Sequence, residues 1–275
     1  MQKIRFGFSP CPNDTFILDA LIHNKIDSRN YHFEWIIEDV ENLNRKALDN
    51  DIEVSKMSFA AYAKLTKEYQ LIPYGSALGK GCGPLLISKK AITDFSMAKV
   101  AIPGFNTTAN MLLTLAYPDI STKEEMLFSE IEEAVLSEKF DLGLIIHENR
   151  FTYLQNGLQK VMDLGDFWEN STGHYIPLGG FAVKRGLPAS LKHDISALIK
   201  ESVAFAFKNP ESSRDFVKKH AQEIDVDVIN SHIKLYVNEF SIDLGMDGRA
   251  AIQFLLDSAL KNGITKKIFQ PIFTE

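Results

Sequence analysis

The chain alternates between short apolar runs typical of strands and longer stretches with helical spacing. Residues 3–9 (KIRFGFS) alternate as a half-buried strand does, and residues 52–58 and 141–146 are further strand-like runs. Between the first two of these runs, Asp39 can cap a helix whose apolar positions in residues 40–48 share one face. Alternation of this kind predicts a parallel sheet with helices on its faces, whose binding sites lie beyond the carboxyl ends of the strands.

Two such α/β cycles follow one another, and a helical tail comes after them. The second cycle includes a short strand predicted at residues 126–129, a helix at residues 130–139 and the strand at residues 141–146. A tail without a repeating strand must pack on a core already formed, which returns it to the first lobe. The predicted domains are a discontinuous first lobe, residues 1–88 with 186–275, and an inserted second lobe, residues 89–185.

Composition narrows the class of protein further. The 275 residues are 45% hydrophobic and 24% charged with a net charge of -6, which argues against general disorder and offers no basic stripe for nucleic acid. The amino-terminal residues lack the apolar stretch of a secretory signal, and no segment reaches the roughly 18 apolar residues that span a bilayer. A cytoplasmic protein without membrane or nucleic-acid partners is expected, with Cys11 and Cys82 as free thiols.

Two polar segments of the first lobe lie where strands are predicted to meet helices. In SPCPNDTF, Asn13 either caps the following helix or helps to bind a polar ligand at that helix end. In SKMS, residues 55–58, the backbone lines the same sheet edge or Ser58 simply caps the next helix.

The glycine-rich segment GKGCGP, residues 79–84, lacks the lysine and hydroxyl positions of a phosphate loop. Its glycines allow either close approach of a ligand or a tight turn between lobes. No base is near Cys82 in the sequence, which favours a structural or pocket-lining thiol over a nucleophile.

The second lobe carries the sharpest candidates. PGFNTTAN, residues 103–110, follows a strand and opens a helix whose end suits a carboxylate, although Asn106 or Thr107 as a plain cap explains it equally well. His147 ends the buried run DLGLII and is either a proton-transfer group or a solvent-facing histidine. The histidines and cysteines show no metal-ligand spacing, so no metal site is predicted.

Six segments occur in order across nearly the whole chain: SPCPNDTF, DVENLN, SKMSFAAY, GKGCGPLL, PGFNTTAN and DLGLIIHENR. Taken together, they resemble the 1,4-dihydroxy-6-naphthoate synthases of the futalosine route to menaquinone. The resemblance implies a two-lobed α/β fold like the type II periplasmic binding proteins, with a ligand cleft between the lobes. It also implies conversion of cyclic dehypoxanthine futalosine to 1,4-dihydroxy-6-naphthoate and a three-carbon fragment, with neither metal nor organic cofactor.

The resemblance also implies roles for individual residues. His147 would be the general base that starts the fragmentation, while Glu148 and Arg150 either tune it or face solvent. The expected contacts to the small anionic substrate are Ser55, Lys56 and Met57 from the first lobe, Thr107, Thr108, Ala109 and Asn110 from the second, and more weakly Asn13.

Two other functions fit the same segments. A binding protein of this fold would hold a small anion without turnover. The chorismate dehydratase of the same pathway would share the fold, but the IIHE segment at residues 145–148 fits the naphthoate synthases better.

Overall fold

A computed structural model of the chain describes residues 3–92, 94–95, 97–223 and 225–274. These residues form two compact units, the first comprising Met1–Gly79 with Pro177–Glu275 and the second Lys80–Ile176. The strands are β1 (Ile4–Phe8), β2 (Phe33–Ile37), β3 (Val54–Ser58), β4 (Tyr69–Leu71), β5 (Ala77–Gly79), β6 (Leu85–Ser88), β7 (Val100–Ile102), β8 (Lys123–Glu125), β9 (Leu142–Ile145), β10 (Gln159–Asp163) and β11 (Ile176–Lys184).

Helices connect these strands and form the carboxyl-terminal part of the chain. They are α1 (Pro12–Ile22), α2 (Val40–Leu48), α3 (Phe59–Leu65), α4 (Thr108–Ala116), α5 (Ile131–Leu136), α6 (Asn149–Thr152), α7 (Leu164–Thr172), α8 (Ala189–Lys208), α9 (Arg214–His220), α10 (Val226–Tyr236), α11 (Glu239–Ile242) and α12 (Gly245–Lys261). Of the described helices, none is long and apolar enough to cross a membrane.

The first unit is built on a sheet ordered β2-β1-β3-β11-β4, with β5 paired to β11. Strands β1, β2 and β3 run parallel, whereas β11 is antiparallel to both β3 and β4. The core joins side chains of this sheet, such as Phe6 and Phe181, to Ile17 of α1 and Ile199 of α8. The helical tail therefore packs on the first sheet, because the apolar face of α8 completes that core.

The second unit has a five-stranded sheet ordered β10-β6-β9-β7-β8. Strand β9 pairs in parallel with β7 and antiparallel with β6. Helix α5 covers this sheet through Ile131 and Val135, which share a core with Ile145 at the end of β9. Gly143 lets α5 lie close, since a Cβ there would come within 2.7 Å of Ile131.

The structure differs from the sequence-based expectations in three respects. Both sheets are mixed rather than parallel. Strand β11 is antiparallel to β3 in the first sheet, and β6 is antiparallel to β9 in the second. The predicted ranges 1–88, 89–185 and 186–275 assign β6 to the first lobe and β11 to the second. In the structure, β6 pairs with β9 in the second unit, and β11 pairs with β3 in the first unit. The strand predicted at residues 126–129 is wrong, since Phe128–Glu130 is a 3-10 helix.

Candidate active site

The carboxyl ends of β1 and β3 bring two of the predicted segments together in the first unit. The two strands are parallel neighbours, with Gly7 opposite Ser55, so the chain leaves both at the same sheet edge. We call this the β1/β3 edge, formed by residues 9–14 and 55–58. Helix α1 begins here after Cys11, with Pro12 at its first position, so the prediction that Asn13 is the N-cap is wrong. Proline suits that position because its fixed φ matches the helix and it has no N–H to leave unpaired.

Asn13 instead joins a buried polar network at this edge. Its side-chain oxygen lies 3.0 Å from His232 Nε2, and its Nδ2 donates to Asp14 Oδ1 at 2.8 Å. The other Asp14 oxygen accepts from both the backbone N–H and the hydroxyl of Ser9, at 3.1 and 2.8 Å. The network thus fixes the turn between β1 and α1, since several partners hold one carboxylate.

Lys56 supplies the positive charge for that carboxylate. Its ammonium lies 2.5 Å from Asp14 Oδ1, donates to Gly75 O at 3.1 Å and sits 4.7 Å from the ring centre of Phe181. Asp14 and Lys56 are 1% and 5% exposed, so this ion pair belongs to the interior of the first unit.

The neighbouring residues of β3 are buried as well. Ser55 and Met57 are both fully buried, and the Ser55 hydroxyl donates to Lys56 O at 2.8 Å. Ser58 precedes α3, but its side chain makes no capping hydrogen bond and instead accepts from Asn44 Nδ2 at 3.2 Å. Contact of Ser55, Lys56 and Met57 with substrate stays a prediction.

The second unit shows the same arrangement at the ends of β7 and β9. These parallel neighbours pair Val100 with Leu142, so the segments that follow them leave from one sheet edge. We call this the β7/β9 edge, formed by residues 103–110 and 146–150. It carries both second-lobe candidates named from the sequence, the PGFNTTAN segment and His147.

Thr107 is the N-cap of α4 at this edge, as one of the two sequence interpretations predicts. Its hydroxyl accepts from the Asn110 N–H at 3.2 Å and donates to Gly104 O at 2.7 Å. Asn110 Nδ2 donates to Phe105 O at 3.1 Å, while Thr108 and Ala109 are buried in the first turn. The start of a helix favours an anion because the peptide dipoles and the first N–H groups point toward it.

The backbone of His147 is in the left-handed conformation. Its φ is +58°, in the left-handed region that side chains with a Cβ rarely adopt. The side chain is half-buried, and its ring packs edge-on against Phe128 with 5.0 Å between ring centres. A histidine held in this way offers one oriented imidazole at the carboxyl end of a buried strand.

Arg150 ties the segment after His147 to the glycine-rich segment. Its guanidinium donates to Gly83 O and lies 2.6 Å from Asp163 Oδ2. The other oxygen of Asp163 accepts the N–H of Gly165 at 2.8 Å and so caps α7. Arg150 is thus held inside the second unit by carboxylate and carbonyl partners.

The glycine-rich segment is explained by close backbone packing rather than by phosphate binding. A Cβ on Gly83 would lie 2.3 Å from the backbone of Gly165, so the two glycines allow the chain segments to touch. The Gly81 N–H donates to Glu169 at 2.8 Å. Burial raises the pKa of the neighbouring Cys82 thiol to about 12, which agrees with a structural thiol and disfavours a nucleophile.

Comparison with known proteins decides the family. The family model for menaquinone biosynthesis matches residues 4–261. A 1,4-dihydroxy-6-naphthoate synthase from Thermus thermophilus is 40% identical over 273 residues, covering 99% of this chain and 100% of the relative. The chain belongs to the menaquinone biosynthesis family. A second synthase of that name, from Streptomyces coelicolor, is 40% identical and covers 96% of this chain and 95% of its own.

Solved structures agree on the fold of this menaquinone biosynthesis family member. A crystal structure of a protein from Archaeoglobus fulgidus superposes with a TM-score of 0.90 at 35% identity, covering 95% of this chain and 98% of that one. The periplasmic aliphatic sulphonate binding protein of Escherichia coli has a TM-score of 0.66 at 13% identity, covering 100% of this chain and 94% of that one. The predicted two-lobed fold of the periplasmic binding protein type is confirmed.

Sequence reasoning missed several polar residues of this member of the menaquinone biosynthesis family. Asp14 stands inside the quoted segment SPCPNDTF and is the carboxylate on which the first-unit network converges. Its position next to Asn13 was the available signal. Asp163 and His232 gave no such signal, because their partners lie far away in sequence.

Proposed function

We propose that this chain converts cyclic dehypoxanthine futalosine to 1,4-dihydroxy-6-naphthoate and a three-carbon fragment, as a carbon–carbon lyase that needs no metal or organic cofactor. The support is the 40% identity to two relatives named as 1,4-dihydroxy-6-naphthoate synthases over nearly the whole chain. This biosynthetic role implies a reaction in the cytoplasm. The futalosine substrate and the cofactor-independent lyase reaction are part of the proposal.

The observation that carries the proposal is the conformation of His147. A non-glycine residue at a φ of +58° costs free energy, of order 1–3 kcal/mol, and such strain concentrates at functional sites. The strain falls on the one residue of IIHE that can exchange a proton near neutral pH.

In the proposed mechanism His147 acts as general base. Its imidazole removes a proton from the sugar-derived portion of the substrate, and this starts the fragmentation that releases the three-carbon unit. Aromatisation of the new ring helps to drive the carbon–carbon cleavage. The edge-on contact with Phe128 limits rotation of the imidazole, so less orientational freedom is lost when the substrate binds.

The substrate contacts in this proposal are those that the resemblance implies. Residues Thr107 to Asn110 bind a carboxylate or polar group at the start of α4, where the peptide dipoles favour negative charge. Asn13, Ser55, Lys56 and Met57 contribute from the β1/β3 edge. The Lys56 ammonium has three N–H donors, and its bonds to Asp14 and Gly75 use two of them.

The test is incubation of the purified protein with cyclic dehypoxanthine futalosine, followed by chromatographic detection of dihydroxynaphthoate. A parallel incubation with chorismate measures dehydration. The proposal predicts naphthoate from the first substrate and no turnover of chorismate. Binding of the futalosine without product contradicts the proposal and favours a binding protein, and dehydration of chorismate favours the sister enzyme.

A further inference from the structure

Glu132 is a carboxylate that the proposed mechanism leaves without a role, although the fold buries it. It lies in the first turn of α5 and is 6% exposed, whereas its neighbour Glu133 in the same turn is exposed. Burial of a carboxylate is costly unless hydrogen bonds replace its water. The dipole of α5 favours both residues alike, so it does not explain why only Glu132 is inside.

Both oxygens of Glu132 bind the segment that follows His147. Oε1 accepts from Asn149 Nδ2 at 2.7 Å, and Oε2 accepts from Asn156 Nδ2 at 2.6 Å. The two asparagines stand in the single connection between β9 and β10, one near each end. One buried carboxylate thus fastens both ends of this connection to α5.

The His147 backbone needs such fastening. On its amino-terminal side it is held by β9, which pairs with strands on both sides. On its carboxyl-terminal side, Asn149 is two residues away and is anchored to Glu132. A strained φ persists only where the surroundings hold it in place, and without this anchor the residue can relax toward the ordinary negative-φ regions.

We infer that Glu132 is a positioning residue for His147, acting through Asn149 and Asn156 to hold the imidazole in its catalytic orientation. The inference rests on the proposed function. The inference adds Glu132, a residue of α5 outside the β7/β9 edge, to the residues that determine the rate of the proposed reaction. The chemistry remains with His147, because Glu132 binds the amides of the connection.

The experiment compares Glu132→Gln with the matched control Glu133→Gln, which makes the same change of charge in the same helical turn. Kinetics with cyclic dehypoxanthine futalosine give kcat and KM. Amide hydrogen exchange of residues 146–158 reports on the connection without reference to activity. Glutamine keeps the shape of the side chain, so the fold is retained, and thermal unfolding of both variants checks this.

Glu132→Gln should lower kcat about tenfold, because the glutamine Nε2 is a donor and cannot accept from an asparagine Nδ2, so one charge-assisted hydrogen bond is lost. KM should stay within about twofold, because uniform substrate binding is untouched. Exchange in residues 146–158 should become faster, and Glu133→Gln should match the wild type in every measurement. Adding Asn149→Ala to Glu132→Gln should cost less than the two separate losses combined, since both act through one contact.

Equal kcat in the two glutamine variants overturns the inference, whether or not exchange changes. A fall in kcat without faster exchange also overturns it, because the effect then does not pass through the connection. If the wild-type protein forms no naphthoate, the proposed function fails and the positioning role fails with it. The kinetic and exchange results thus distinguish the two failures.

Discussion

Lys56 and Asp14 form an ion pair inside the first unit, with 2.5 Å between Nζ and Oδ1 and almost no exposure of either side chain. The pair joins the middle of β3 to the first turn of α1. It therefore fixes the β1/β3 edge, from which Asn13 and Ser55 are proposed to contact the substrate.

Breaking this pair from one side should destabilise the protein strongly. Asp14→Asn leaves the Lys56 ammonium buried without its counter-charge, and removing one partner of a buried pair costs about 3–5 kcal/mol. Urea unfolding at pH 7 measures the loss. The control is Glu138→Gln, which removes the carboxylate that pairs with Lys89 and Lys90 on the surface and should leave the midpoint nearly unchanged. Similar midpoints for both variants contradict the structural role of the buried pair.

The contact between Gly83 and Gly165 makes a second prediction. Gly83→Ala places a Cβ 2.3 Å from the Gly165 backbone, and the resulting overpacking should lower the free energy of unfolding by about 1–3 kcal/mol. Gly186→Ala is the control, because a Cβ there meets nothing within 4 Å. Thermal unfolding of both variants decides the matter. An alanine tolerated equally at both positions means that the glycine-rich segment is not required for packing.

The pH dependence of stability should include a contribution from Glu53. Arg5 donates to both oxygens of this carboxylate and, with Lys184, lowers its pKa from 4.5 to about 2. A pKa that is lower in the folded state stabilises the protein above the unfolded value, and this contribution is lost as the pH falls from about 5 toward 2. Wild type and Glu53→Gln should therefore differ most in urea midpoint near pH 7 and converge at acidic pH.

The matched control for Glu53 is the exposed Glu133→Gln, which should track the wild type across the whole range. A gap between wild type and Glu53→Gln that stays constant from pH 7 to about pH 2.5 contradicts the assignment. In that case the glutamine variant loses packing rather than charge.

The sequence predicted much of the fold because hydrophobic periodicity and helix capping depend on residues that are close in sequence. Asp39 as the N-cap of α2 is confirmed, as is the long helix α8, since both depend on residues close in sequence. The prediction of Asn13 as an N-cap is wrong because Pro12 takes the first helical position, which makes Cys11 the N-cap. The direction of β11 could not be predicted, because pairing with β3 is decided by distant residues.

For the candidate site, local signals point to candidate residues but not to their geometry. Position at the end of a buried run makes His147 a candidate, but nothing local predicts its positive φ. Glu132 follows Ile131 in a helix that begins with several acidic residues and resembles any solvated helix start. Its burial depends on Asn149 and Asn156, which only the folded second unit brings to it.

The central claim is that His147 is the general base. The most direct test is the rate of naphthoate formation by two variants at this position. His147→Asn is the sharper variant, because asparagine tolerates a positive φ and so removes the imidazole while keeping the backbone. His147→Ala removes the imidazole and also the tolerance of a positive φ. Each should form product about 100- to 10,000-fold more slowly than the wild type, the usual contribution of a general base, with substrate binding retained. A wild-type rate in His147→Asn would contradict the account.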